Sequence, residues 1–225
     1  MGTNYQDFRG KKIIYVEITQ NEQNVLNVLK ENGKLTLEQV SVKIGKSLRT
    51  VKSIIKSLTI KKMIDFAAEA EGGRGEVLQV SGGEPTLHKD IIKIIEYARE
   101  KFQYVMLNTN GIRIAEDLEF VKDLSQFKGK FEIYLQFDSF NDDVYKAIRG
   151  RELVKLKEQA INNLKEYNIP ITLVMTLERD LNDKEIGKVI TYGIETSNIR
   201  GVNIQPVAYF GRKNGNIERK NRVTL

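Results

Sequence analysis

Cysteine is absent from the 225 residues. That excludes disulfides, thiolate nucleophiles, Cys-ligated zinc and any iron–sulfur cluster held by this chain's own thiolates. Histidine occurs once, as His88, which rules out a multi-histidine metal centre and leaves a Ser/His/Asp triad a poor fit. No apolar run approaches the roughly 18 residues that a membrane-crossing helix needs, and no signal-peptide pattern opens the chain. The expectation is a cytoplasmic protein with no membrane span. Tryptophan is missing and proline occurs three times, yet 40% of the residues are apolar and 29% charged, a balance that supports a packed globular chain.

What is present is unevenly distributed. Residues 1–64 carry twelve Lys/Arg against five Asp/Glu, a net +7. Residues 65–210 are acidic at −5, and residues 211–225 are basic again at +4. A basic front on an acidic body suggests two tasks, the front one touching a polyanion.

The front begins with 12–19 (KIIYVEIT), rich in β-branched and aromatic residues, which reads as a strand. Helical spacing follows over 21–32, with Val25, Leu26 and Leu29 on one face and Gly33 as the stop. Thr36 to Gln39 forms a capping box opening a short helix that buries Leu37, Val40 and Ile44 and ends at Gly45. Ser47 caps a third helix over 48–61, with Val51, Ile54, Ile55 and Leu58 inward. The run TLEQVSVKIGKSLRTVKSIIKSLTIKKMI resembles the helix-turn-helix core of winged-helix regulators. That resemblance implies a third helix entering the major groove, with Lys46, Ser47, Arg49, Thr50, Lys52, Ser53 and Lys56 facing double-stranded DNA. The competing reading is a three-helix packing module with a solvated basic face. No wing hairpin follows Met63-Ile64.

From Glu76 the pattern alternates. Strands are expected over 77–80, 104–108, 131–137, 171–177 and 201–206. Helices are expected over 89–102, 116–127, 151–167 and 184–195, the third with Leu153, Leu156, Ala160, Ile161 and Leu164 inward. The fold class is therefore α/β, a parallel sheet or barrel wall preceded by a small all-α module. Sites in such folds lie at the C-terminal strand ends. The polar residues gather there: Gly82, Gly83 and Glu84, then Asn108 and Asn110, then Gln136 and Asp138, then Thr176 and Glu178, then Gln205. Such a set suits a small-molecule ligand with amino, carboxylate and ribose groups, although polar strand ends are also common in wet loops.

In order, LQVSGGEPTLHKDI, LNTNGIRI, YLQFDSFNDDVYKAIRG and NIQPV resemble the radical S-adenosylmethionine superfamily, with wording like archaeal tetraether-lipid synthases, over about 65–212. The resemblance implies a partial radical-SAM-type (β/α) barrel and an S-adenosylmethionine site. Its cofactor-binding residues would be Gly82, Gly83, Glu84, Pro85, Asn108, Asn110, Gln136, Asp138 and Gln205. It also implies a [4Fe–4S] cluster on a CxxxCxxC loop after the first barrel strand, and no cysteine exists to hold one. Residues 15–19 resemble that first strand and 66–73 the stretch after the cysteines, with the helix-turn-helix between them. The helix that should follow the first strand is expected to be missing or replaced. Glu22, near the first ligand position, is too hard a ligand to stand in.

The expected organisation is an N-terminal strand (1–20) that serves as the first barrel strand, a helix-turn-helix module (21–64), a partial barrel (65–210) and a basic flexible tail (211–225). No catalytic and no metal residues are assigned. The leading reading is a radical-SAM-like protein without cluster chemistry that retains weak S-adenosylmethionine or nucleotide binding. The alternatives are a DNA-binding regulator with the barrel as sensor or dimerisation platform, and a rearranged or truncated gene product. A homodimer or a partner chain stays open. His88 is expected at a helix start in a surface or capping role, and Arg149 either reaches a ligand carboxylate or is structural.

Overall fold

The computed structural model describes residues 5–6, 12–13, 20–32 and 35–207. The candidate barrel strand at 15–19 and the basic tail 211–225 lie outside the described residues. Of the strand expected over 12–19, only Lys12–Ile13 (β2) is described. It pairs antiparallel with Tyr5–Gln6 (β1) in a two-stranded ladder separate from the larger sheet. The chain divides into two compact units, Met1–Met63 and Ile64–Leu225.

The first unit packs Gln20–Asn32 (α1), Leu37–Ile44 (α2) and the start of Leu48–Ala70 (α3) around Val25, Val40 and Val51, each at most 1% exposed. Leu29, Leu37, Ile44, Ile54, Ile55 and Leu58 close over these valines. The capping box forms as expected. Thr36 Oγ1 accepts from the Gln39 amide at 3.3 Å, and Gln39 Oε1 accepts from the Thr36 amide at 2.8 Å. Gly45 ends α2 at φ 62°, a left-handed conformation that a Cβ would penalise. Ser47 Oγ accepts from the Thr50 amide at 3.2 Å and starts α3.

Helix α3 does not end at Lys61. Residues 62–70 hold no glycine or proline, and Ile64 and Ala68, four apart, are buried. The stop comes at Gly72 and Gly73, both at positive φ, with the Gly73 amide donating to the Ala68 carbonyl at 2.8 Å. The helix expected to be missing or replaced has its place taken by the C-terminal part of α3, which runs on to Ala70 ahead of the strand that begins at Gly75.

The second unit is a five-stranded, all-parallel half-barrel in the order β3-β4-β5-β6-β7. Its elements run Gly75–Val80 (β3), Ile91–Lys101 (α4), Phe102–Thr109 (β4), Ile112–Glu116 (α5), Leu118–Ser125 (α6) and Phe131–Gln136 (β5). Asp142–Arg149 (α7), Val154–Glu166 (α8), Ile171–Leu177 (β6), Ile186–Glu195 (α9) and Ile199–Pro206 (β7) follow. The helix expected over 116–127 is the shorter α6, capped by Asp117, which accepts from the Phe120 amide at 3.0 Å, and α5 is an additional short helix ahead of it. Helix α8 starts at Val154 because Asp142 Oδ1 accepts from the amides of Leu153 and Val154 at 2.7 and 2.9 Å.

Strand alternation sorts the two faces. Phe131, Ile133 and Leu135 of β5 are fully buried, each contributing about 1.5–3 kcal/mol of apolar burial. On the other face of the sheet, register aligns Asn108 with Tyr134, Gln136 with Val174, and Val174 with Asn203. That polar face climbs toward the C-terminal strand ends.

Candidate ligand cleft at the strand ends

A cleft of about 270 Å³ opens at those ends. Its lining brings together Gly82, Gly83, Glu84, Asn108, Asn110, Gln136 and Gln205, seven of the nine residues expected of a cofactor site. Pro85 and Asp138 are not in the lining. Thr109, Arg149, Val174 and Thr176 are, and of these only Thr176 had been picked out as a strand-end polar residue and only Arg149 as a group able to reach a ligand.

Glu84 lines the cleft but spends its carboxylate on the chain itself. Oε1 accepts from the Thr86 amide at 3.1 Å, Thr86 Oγ1 at 2.7 Å and Thr109 Oγ1 at 2.7 Å. Oε2 accepts from the Asn110 amide at 2.8 Å. The side chain thus ties the loop after β3 to the turn after β4. Pro85 opens the short 3-10 turn Pro85–Leu87 beside it. Gly82 and Gly83 present bare backbone at the rim, with open space where each Cβ would stand.

Asp138 is fully buried. Its Oδ2 takes Arg149 Nε at 2.9 Å, and its Oδ1 takes Arg149 Nη2 at 3.3 Å and the Thr176 amide at 2.9 Å. Asp138, expected among the cofactor-binding residues, lies outside the cleft lining and spends its carboxylate on Arg149 and the Thr176 amide, while Arg149 lines the cleft. Arg149 also donates to Thr176 Oγ1 at 3.1 Å. With its amide oxygen toward Arg149, the orientation that sets acceptor against donor, Gln136 accepts from Nε at 2.7 Å. Three neighbours therefore fix one guanidinium at the cleft wall.

The turn after β4 also lines the cleft. Lys157 of α8 is 1% exposed, and its Nζ donates to the Asn110 carbonyl at 2.6 Å. Burial pushes its pKa down to about 8, with Arg149 adding to the fall and Asp138 and Glu84 opposing it. Leu156, assigned to the buried face of this helix from spacing, is half-exposed, and Lys157 takes the buried position. Gly111, at φ 79°, lets the turn close over Leu135, whose Cδ1 would stand 2.5 Å from a Cβ there. Tyr145, fully buried, accepts from the Asp138 amide at 3.1 Å, and burial drives its phenol far up.

Deeper on the same face, Tyr134 Oη accepts from Gln205 Nε2 at 3.3 Å and contacts Asn203 Nδ2. His88 Nδ1 accepts from the Asp90 amide at 3.2 Å, a capping role next to α4.

In the first unit, Lys46, Ser47, Arg49, Lys52 and Lys56 are exposed, while Thr50 and Ser53 are half-buried. Ser47 and Thr50 share a hydroxyl contact at 2.8 Å, which commits both to the helix start. Glu22 is 4% exposed and is held by Lys61 at 3.0 Å and Ser57 at 3.0 Å, a link between α1 and α3.

These features define a class: a parallel half-barrel with a polar cleft at its C-terminal edge, joined to a helix-turn-helix. Residues 49–192 match the Radical SAM superfamily and residues 18–59 match winged helix-turn-helix DNA-binding proteins. The chain belongs to the radical SAM superfamily. A curated relative, the 7,8-dihydro-6-hydroxymethylpterin dimethyltransferase of Methanocaldococcus jannaschii, is 37% identical over 151 residues. That match covers 66% of this chain and 29% of the relative. A GTP 3',8-cyclase of Listeria monocytogenes is 30% identical over 139 residues, covering 60% of this chain and 40% of the relative. The solved structure "Native anSMEcpe with bound AdoMet and Kp18Cys peptide" shares the fold at a TM-score of 0.53 and 20% identity, over 72% of this chain and 47% of its own. The chain thus spans well under two thirds of the length of these relatives.

The superfamily's cluster does not fit the residues present. The chain has no cysteine, and among the described residues no group of three His, Cys, Asp or Glu side chains is placed to hold a metal ion. S-adenosylmethionine does fit the donor set, since the cleft combines one cation, four side-chain amides and bare glycine backbone.

Proposed function

We propose that the barrel unit binds S-adenosylmethionine, or a nucleoside of similar shape, and that it carries out no reductive cleavage through a cluster of its own. The observation that carries this reading is the Arg149 guanidinium, pinned by Asp138, Gln136 and Thr176 at a cleft whose other rim is Gly82-Gly83. Arg149 would take the ligand carboxylate, the glycine carbonyls its amino group, and Asn108 and Gln205 its ribose hydroxyls. Bound AdoMet in a structure of the same fold supports the ligand class. Relatives named for pterin methylation and GTP cyclisation support a nitrogen-heterocycle co-substrate in longer proteins of this kind. Affinity is expected to be weak, because no cluster iron chelates the amino acid end. Titration calorimetry tests it. Arg149→Ala should lose at least tenfold in affinity, the scale of one charged hydrogen bond. Equal binding by wild type and variant overturns the assignment.

A second reading concerns the first unit. Arg49, Lys52 and Lys56 stand exposed on α3 at i, i+3 and i+7, within the winged-helix match. They support binding to double-stranded DNA, with lysines on phosphates and Arg49 able to reach guanine. Gel-shift titration at two salt concentrations tests this, and no binding at low salt overturns it.

A further inference from the structure

A lysine buried to 1% exposure with a single hydrogen bond is costly unless its position is used. Lys157 spends its ammonium on one backbone atom, the Asn110 carbonyl at 2.6 Å. The Asn110 amide donates to Glu84 Oε2 at 2.8 Å. Asn110 is therefore held at both backbone poles by charges of opposite sign, the buried Lys157 ammonium on its carbonyl and the half-buried Glu84 carboxylate on its amide. The side chain is fixed as well. Asn110 Oδ1 accepts from the Ile112 amide at 2.9 Å, which settles the orientation of its carboxamide. Nδ2 is left as a donor on a residue that lines the cleft.

We propose that Lys157 is a positioning residue, which holds the Asn110 turn so that Asn110 Nδ2 serves as a fixed donor to an acceptor atom of the cleft ligand, and that ligand affinity therefore follows the charge on Lys157. This rests on the reading of the cleft as an S-adenosylmethionine site. The ligand atom is a neutral acceptor, a hydroxyl or ring nitrogen, since Nδ2 carries no charge and Arg149 is the cation of the lining. The groups facing Lys157 come from three other elements. Glu84 belongs to the loop after β3, Asp138 to the loop after β5, and Arg149 and Tyr145 to α7, with the Tyr145 ring centre 5.8 Å from Nζ. Burial outweighs the two carboxylates, so the lysine titrates near pH 8, within reach of solution experiments.

The test is calorimetric titration of S-adenosylmethionine into the full chain, as wild type, Lys157→Met, Asn110→Ala and the double variant, at pH 7 and pH 9.5. Methionine fills the same volume without the donor, so folding is retained. The ratio of wild-type to Lys157→Met affinity cancels the titration of the ligand's own amine. That ratio should be several-fold at pH 7 and shrink toward one at pH 9.5, because a charged donor is about twice as strong as a neutral one. The double variant should bind no more weakly than Asn110→Ala alone, since Lys157 acts through Asn110. A ratio of one at pH 7, a ratio unchanged with pH, or additive losses in the double variant overturns this proposal while leaving the site reading intact. Absence of binding by wild type at both pH values overturns the site reading itself, and this proposal with it. If Lys157→Met does not fold, Lys157→Arg, which keeps its charge at both pH values, takes its place. The wild-type to Lys157→Arg ratio should then fall as pH rises, and a constant ratio overturns the proposal.

Discussion

The two units of this chain use charge in opposite ways. The first keeps its cations on the surface. Lys46, Arg49, Lys52 and Lys56 are all exposed, and the deeply buried carboxylate of Glu22 is matched by Lys61. The second takes charge inward at its strand ends. Asp138 is fully buried under Arg149, Lys157 is 1% exposed, and Glu84 is wrapped in four hydrogen bonds. Surface charge acts at a distance and is screened by salt. Buried charge fixes geometry and answers to pH and to the loss of a partner. Substitutions in the first unit should therefore change salt dependence without changing stability, and substitutions in the second should do the reverse.

The largest expected effect is at Asp138. Asp138→Ala leaves Arg149 without its main counter-charge and the Thr176 amide without an acceptor. The cost should be about 3–5 kcal/mol, read as a fall in the denaturation midpoint. A loss under 1 kcal/mol would mean that Arg149 is satisfied by water and the pair does not organise the cleft.

Next comes Glu84→Gln. It keeps the volume but removes the negative charge on which Thr86, Thr109 and Asn110 converge, and should cost about 1–3 kcal/mol. Urea unfolding checks it. Asp142→Ala, which frees only the Leu153 and Val154 amides at the start of α8, should cost less than either.

In the first unit the triple variant Arg49/Lys52/Lys56→Ala should keep the wild-type melting temperature. Any DNA affinity should lose up to about 0.9 from the salt slope per phosphate contact removed. A drop in melting temperature comparable to that of Asp138→Ala would erase the contrast between the units.

The last effect is a pH dependence. Lys157 in the folded chain releases its proton near pH 8, whereas an unfolded lysine keeps it to about 10.5. Between those values the unfolded state binds more protons, so stability rises with pH across that window. Above pH 10 the raised phenols of Tyr97 and Tyr145 reverse the trend, because the folded chain then holds the protons that the unfolded chain loses. Thermal melts at pH 7.5 and 9.5 should show the rise in wild type and its absence in Lys157→Met.

Much of this contrast was legible in the sequence, for identifiable reasons. The three-helix core followed from the spacing of Val25, Val40 and Val51 and from the Thr36–Gln39 box, both of which are local signals. The strand-end rule drew Gly82, Asn108, Gln136 and Gln205 to one cleft, because a parallel sheet places all its C-terminal ends together. What periodicity missed depended on partners far apart in the chain. Asp138 read as a ligand group because its polar side chain sits at a strand end; only the fold shows Arg149, eleven residues on, turning back to claim it. Lys157 sits at the spacing of Leu153, Ala160 and Leu164, so its burial was encoded, but a lysine there contradicts the apolar pattern and Leu156 was chosen instead. Helix α3 runs past its expected end at Lys61, because the first glycine stop comes at Gly72.

The central claim is that this superfamily fold keeps a ligand cleft without a cluster. The most direct measurement is titration of S-adenosylmethionine into the full chain purified without oxygen, with iron and acid-labile sulfide quantified on the same sample. The account predicts weak saturable binding that Arg149→Ala reduces at least tenfold, with no stoichiometric iron or sulfide. Four irons and four sulfides per chain, with binding lost when they are stripped, would contradict it.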